Sequence, residues 1–102
     1  MVTKNNAIVS WDKAALLSLQ KAYDFISKDS LLNAVKVRDA ILKITKSLPD
    51  NPEKFPLDKF RLHNKGNYRA FEKFSYRVAY RFSDKEIKIL RVRHVKQEPK
   101  MH

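Results

Sequence analysis

The chain has no cysteine, one glycine, one tryptophan and no long apolar run. Without cysteine there is neither a disulfide framework nor thiolate chemistry, and a reducing cytoplasm is the expected location. A single glycine, Gly66, excludes a glycine-rich phosphate-binding loop. No stretch approaches the roughly 18 apolar residues of a membrane span. The opening Met1–Asn6 does not read as a signal peptide, so no membrane partner is expected. The three histidines form no cluster at metal-ligand spacing, and we expect no metal and no cofactor.

Acidic residues are also scarce, 11 against 22 Lys and Arg, giving a net charge of +11. The excess is uneven: residues 1–50 hold 8 Lys/Arg and 5 Asp/Glu, whereas residues 51–102 hold 14 and 6. Such an imbalance attracts polyanions and speeds their encounter without specifying a fold. Simple solubility is the plain alternative, but concentration of charge in the strand-rich half points to a binding surface. With 102 residues, an ordinary apolar fraction and no Gly/Ser linker, residues 1–102 are expected to form one domain around one core.

Ala7-Ile-Val-Ser-Trp11 reads as a short first strand. Asp12 or Ser10 is placed to cap a helix from Lys13 to about Ser27, with Leu16, Leu19, Tyr23 and Ile26 on one face beside Ala15 and Ala22. After Ser27-Lys-Asp-Ser30, Asp29 or Ser30 is placed to cap a second helix bearing Ala34, Val37, Ile41, Ile44 and Leu48. Pro49 stops it, because proline disfavours helical geometry in the preceding residue. The short connection predicts a helical hairpin. Its two apolar stripes could form a partner seam, but packing against each other and a sheet is the expectation.

A proline-rich connector, Pro49–Pro56, and the turn signal Asn64-Lys-Gly-Asn67 precede three strand-like segments, Tyr68–Phe74, Tyr76–Phe82 and Ile87–Val95. In the second, Tyr76, Val78, Tyr80 and Phe82 share one face and Arg77, Ala79 and Arg81 the other. In the third, Ile87 and Ile89 fall on one face and Leu90 and Val92 on the other. That pattern indicates a central strand or a bulge; Leu90 and Val92 are expected in the core, and the direction of His94 stays open. The orientation of Tyr68–Phe74 is equally open. The fold class is α+β: an N-terminal strand, a helical hairpin, then a three-stranded antiparallel meander forming one sheet. The helices cover one face and leave a partly open, arginine-bearing face.

Tyr76-Arg-Val-Ala-Tyr80 and Ile87-Lys-Ile-Leu-Arg-Val-Arg-His94 resemble the last two strands of the RelE/ParE superfamily of bacterial type II toxins. The first strand, the hairpin ending in Leu48-Pro49, the segment Phe55-Pro-Leu-Asp-Lys-Phe60 and Tyr68-Arg69 extend the resemblance over nearly the whole chain. It implies a toxin neutralised by a cognate antitoxin that wraps over it with an acidic or amphipathic segment. Two targets are implied as well: RelE-like members cut mRNA within the ribosome, and ParE-like members poison DNA gyrase. The long hairpin, about Lys13 to Leu48, looks more like the ParE branch.

Under the RelE-like reading, Arg77 matches the family's arginine on the penultimate strand and would clamp phosphate with its planar fork. His94 and His102 are then the acid/base candidates. Arg69, Lys73, Arg81, Arg91, Arg93 and Lys96 are candidates for holding nucleic acid or target. The chain departs from the RelE pattern in its tail, Val95-Lys-Gln-Glu-Pro-Lys-Met-His102, which has no tyrosine and carries Pro99. Enzymatic activity is thus open: an endoribonuclease if RelE-like, no enzyme if ParE-like. Plain readings stand beside these, with Arg77 a solvated surface cation, His94 a strand-end residue satisfied by backbone, and His102 a terminal residue. A third class, a non-toxic nucleic-acid-binding module or inactive family member, rests on aromatics interleaved with cations in Tyr68–Phe71 and Tyr76–Phe82.

Overall fold

Tyr76, Val78 and Tyr80 alternate along one strand and are all buried, because the helical hairpin covers that face. The computed structural model describes residues 7–96. In chain order the elements are β1 (Ile8–Trp11), α1 (Lys13–Ser27), α2 (Leu31–Ser47), a 3-10 turn (Leu48–Asp50), β2 (Tyr68–Lys73), β3 (Tyr76–Phe82) and β4 (Glu86–His94). The strands form one sheet in the order β1-β4-β3-β2. β2, β3 and β4 are an antiparallel meander, and β1 lies parallel to the start of β4. The expected α+β architecture is therefore observed.

Both helices turn an apolar face inward, but not quite as their patterns predict. In α1 the buried residues are Ala15, Leu19 and Ala22, whereas Leu16 is 51% exposed. The alanines allow α1 to approach the sheet closely, and that rotates the larger Leu16 outward. In α2, Ala34, Ile41 and Thr45 are buried, with Val37 and Ile44 packed at the margin. Ser30 caps α2 by accepting a 3.1 Å bond from the Asn33 amide. Asp12 stands at the N-cap of α1 without a side-chain capping bond, its carboxylate 3.5 Å from Lys88 instead.

Fully buried Ile41, Leu48, Val78, Ile87 and Ile89 form the centre of the core with Tyr80. Burial of each aliphatic side chain there contributes roughly 1.5–3 kcal/mol. In β4 the register shifts between Ala79 and Tyr80 of β3: Arg91 faces Ala79 and Ile89 faces Tyr80, so Leu90 is the extra residue of a bulge. The bulge reconciles the two-faced pattern of this strand. Ile87, Ile89 and Val92 all reach the core, while Leu90 goes to the other side and is only half-buried, contrary to expectation. Beyond the bulge His94 pairs with Tyr76 and lies on the helix face.

Two residues, Phe74 and Ser75, join β2 to β3, with φ of 50° and 69°. Positive φ costs a non-glycine residue about 1–2 kcal/mol. Among the described residues, no helix is long and apolar enough to cross a membrane.

Candidate functional site

The sheet face opposite the helices is not left open to its arginines. Residues 56–58 bridge the free edge of β2, the Ala70 amide donating to the Pro56 carbonyl at 3.1 Å and the Asp58 amide to the Tyr68 carbonyl at 2.9 Å. From there Asp58 and Phe60 reach under the sheet to Arg77. Asn64 fastens the far end, its Nδ2 donating to the Tyr68 carbonyl at 2.7 Å and its Oδ1 accepting from the Gly66 amide at 2.9 Å. Gly66 turns the chain there at φ 108°, a region that favours glycine.

This loop carries a buried acid to the underside of β3. Asp58 is 3% exposed, and its Oδ1 accepts from the Phe60 amide and from Arg77 Nη2, each at 3.0 Å. The other arm of Arg77 donates to Glu72 at 3.3 Å, and the Phe60 ring lies 4.9 Å from its guanidinium carbon. A guanidinium whose two arms are engaged by carboxylates, under an aromatic lid, has little capacity left to seize a phosphate. Arg77 is thus no solvated cation; it ties the loop to the sheet.

Arg69 is committed in the same way. Its Nε donates to the Gly66 carbonyl at 3.0 Å and its Nη1 to the Phe55 carbonyl at 3.1 Å, which leaves it bracing the connector on the helix side of β2. Next to it, Tyr80 donates its hydroxyl to the Pro52 carbonyl at 2.6 Å. Burial pushes the Tyr80 phenol up to about 12, against a smaller lowering by Arg69. Burial also raises the Tyr76 phenol.

The other predicted cations lie apart. Arg81 reaches Glu86 at 3.6 Å, and Arg91 is exposed on β4. Arg93 is half-buried and, with Lys59 and Phe60, lines a cavity of about 120 Å³ that Arg77 and His94 also border. That volume is well below the roughly 300 Å³ at which ligand pockets begin. Lys73 ends β2, its ammonium 4.8 Å from the Phe74 ring centroid. Sequence reasoning missed Asp58, although it is the acid within the quoted segment Phe55–Phe60, and missed the stacking of Arg61 on Tyr68 at 3.9 Å.

His94 stands on the helix side, in edge-to-face contact with Tyr76 at 5.2 Å, and its Nδ1 accepts from the Lys96 amide at 3.1 Å. It borders a groove of about 680 Å³ between α1 and the end of β4. Phe25, Tyr76 and Val92 supply apolar surface there, Lys21, Lys28 and Lys96 a basic rim, and Asp24 is the one acid among the described lining residues. By strand register Arg77 and His94 belong to opposite faces of the sheet. Although both border the 120 Å³ cavity, Arg77 is held there by Asp58 and Glu72 while the His94 ring packs on Tyr76. His102, the other acid/base candidate, lies outside the described residues.

A family model described as the ParE toxin of the type II toxin–antitoxin system, parDE, matches residues 9–99. No curated protein matches the sequence. Among solved structures, a chain of the chromosomal ParDE TA system from P. aeruginosa is similar with a TM-score of 0.69 and 22% identity, over 90% of this chain and 99% of that one. A chain of the RelBE2 toxin–antitoxin complex from Mycobacterium tuberculosis is similar with a TM-score of 0.59 and 20% identity, over 87% and 91%. The YoeB dimer from Staphylococcus aureus gives 0.56 and 17%, over 87% and 97%.

Proposed function

The chain belongs to the ParE toxin family of type II toxin–antitoxin systems, and from that premise we propose that it arrests growth through DNA gyrase and not by cutting ribosome-bound mRNA. It is the toxin component of such a pair, and a cognate antitoxin is its partner. The whole of residues 1–102 acts as one toxin domain in this reading.

The observation that carries the choice of target is the state of Arg77. Cleavage of RNA by its own 2′-hydroxyl needs a cation free to stabilise the pentavalent phosphate and a base beside it. Arg77 spends both arms on Asp58 and Glu72, and His94, although it borders the same small cavity, packs its ring on Tyr76 and accepts from the Lys96 amide. Poisoning a topoisomerase needs neither group, only a surface that binds it. The exposed part of β4, with Arg91 and the neighbouring Arg81 and Arg93, is the surface we assign to the target. To the antitoxin we assign the groove beside α1, whose apolar wall and lysine rim complement an acidic amphipathic segment.

Inducible expression without antitoxin, with pulses of labelled thymidine and labelled methionine, tests the target. Thymidine incorporation is expected to fail first, with DNA damage. Immediate arrest of methionine incorporation while DNA synthesis continues would overturn the gyrase reading and return Arg77 and His94 to a nucleolytic role.

A further inference from the structure

The turn between β2 and β3 is held in a shape that its residues disfavour. Positive φ at two successive turn residues is the geometry of a type I′ hairpin, which selects Asn-Gly; here the residues are Phe74 and Ser75. A bulky side chain in that region is an outlier. Burial does not offset the strain, since Phe74 is 43% exposed. Its ring is approached by two ammonium groups, Lys73 at 4.8 Å and Lys36 at 5.4 Å. Across a cavity of about 400 Å³ stands Phe25, 66% exposed at the end of α1, with Ile26, Val37 and Tyr76 below. Two exposed rings thus flank an apolar floor, with Lys36 at its edge and Lys73 beside the Phe74 ring.

We propose that Phe74 is a docking anchor for the antitoxin, presented by the strained turn opposite Phe25. Apolar side chains of an acidic amphipathic segment would enter the cavity, while its carboxylates meet Lys36 and Lys73. The inference rests on the antitoxin reading above and extends that contact from the α1–β4 groove to the hairpin tip. Charge selects this occupant: Lys36 borders the cavity, Lys73 stands beside the Phe74 ring, and no carboxylate is among the described lining residues. Local strain that is not offset within the monomer is a mark of functional positions, and exposed aromatics that become buried carry much of an interface's affinity.

Phe74→Asn separates the two roles, because asparagine suits the turn and removes the ring. The urea midpoint of the isolated toxin is expected to hold or rise. Affinity for the purified full-length antitoxin encoded beside the toxin gene, measured by calorimetry, is expected to fall at least about tenfold. Phe25→Ala, on the helix surface, is expected to weaken binding similarly with the midpoint unchanged. Undiminished affinity in both variants overturns the proposal. So does a lowered midpoint in Phe74→Asn, since the ring would then be holding the hairpin together. Lost growth arrest with unchanged antitoxin affinity also overturns it and assigns the turn to the target. If the unsubstituted toxin fails to bind the antitoxin, the partner reading falls first.

Discussion

Arg77 and Asp58 meet at 3.0 Å with 14% and 2% of their side chains exposed, joining a strand to a loop 19 residues upstream. A pair so buried owes its existence to geometry: its desolvation is costly, and the attraction offsets that cost only while both partners stay. The position that the resemblance marks as a phosphate clamp is here part of the scaffold.

Arg77→Ala should therefore unfold more easily, by about 3 kcal/mol, because it takes the balancing cation from a buried carboxylate. The expectation from the sequence alone is the loss of a surface cation, worth under about 1 kcal/mol. Urea titration decides between them. Asp58→Ala should cost a similar amount, and the double variant should be no worse than either single one.

Alkaline pH should weaken the fold through Tyr80. The unfolded phenol ionises near 10, whereas the buried one holds its proton to about 12. Stability from this group is complete below pH 10 and is lost as pH rises through 12, by about 2–3 kcal/mol in total. Tyr80→Phe, which forfeits the 2.6 Å bond to Pro52, should lose about 1 kcal/mol at neutral pH yet show a flatter decline above pH 10. Equal slopes in the two proteins would show that other groups govern the alkaline limb.

Ser30→Ala should lower stability by about 1 kcal/mol, the usual cost of removing a helix N-cap. Asp12→Ala should cost less, because its side chain makes no capping bond. A larger loss at Asp12 in thermal unfolding would contradict this order.

His94→Ala should leave the arrest of thymidine incorporation within about twofold, apart from a loss of roughly 0.5–1.5 kcal/mol of stability from its contact with Tyr76. Complete loss of toxicity in a folded variant would restore the histidine to a central role.

The order of elements is legible because the periodicities of the helices and of β3 are uninterrupted, and Pro49 and Gly66 punctuate them where the chain turns. The inward face of α1 is harder to read: hydrophobicity favours Leu16, but close approach to the sheet selects Ala15 and Ala22. The direction of His94 depends on the bulge at Leu90, a backbone feature that alternation alone only hints at. Arg77 shows the same limit from another side. Its strand fixes which face it occupies, but nothing local announces that Asp58 and Phe60 will fold over it.

Among the described residues β1 has one partner strand, β4, with Ile8 set against Glu86. A ribosome making this chain has released β1, both helices and two more strands before the complement of β1 exists. Closure of the sheet waits until β4 has been made, and such distant pairing is intrinsically slow. A message cut or a frame lost anywhere before Glu86 yields a polypeptide with an unpaired first strand and a core lacking Ile87, Ile89 and Val92. The sheet and its core thus both depend on β4 being made.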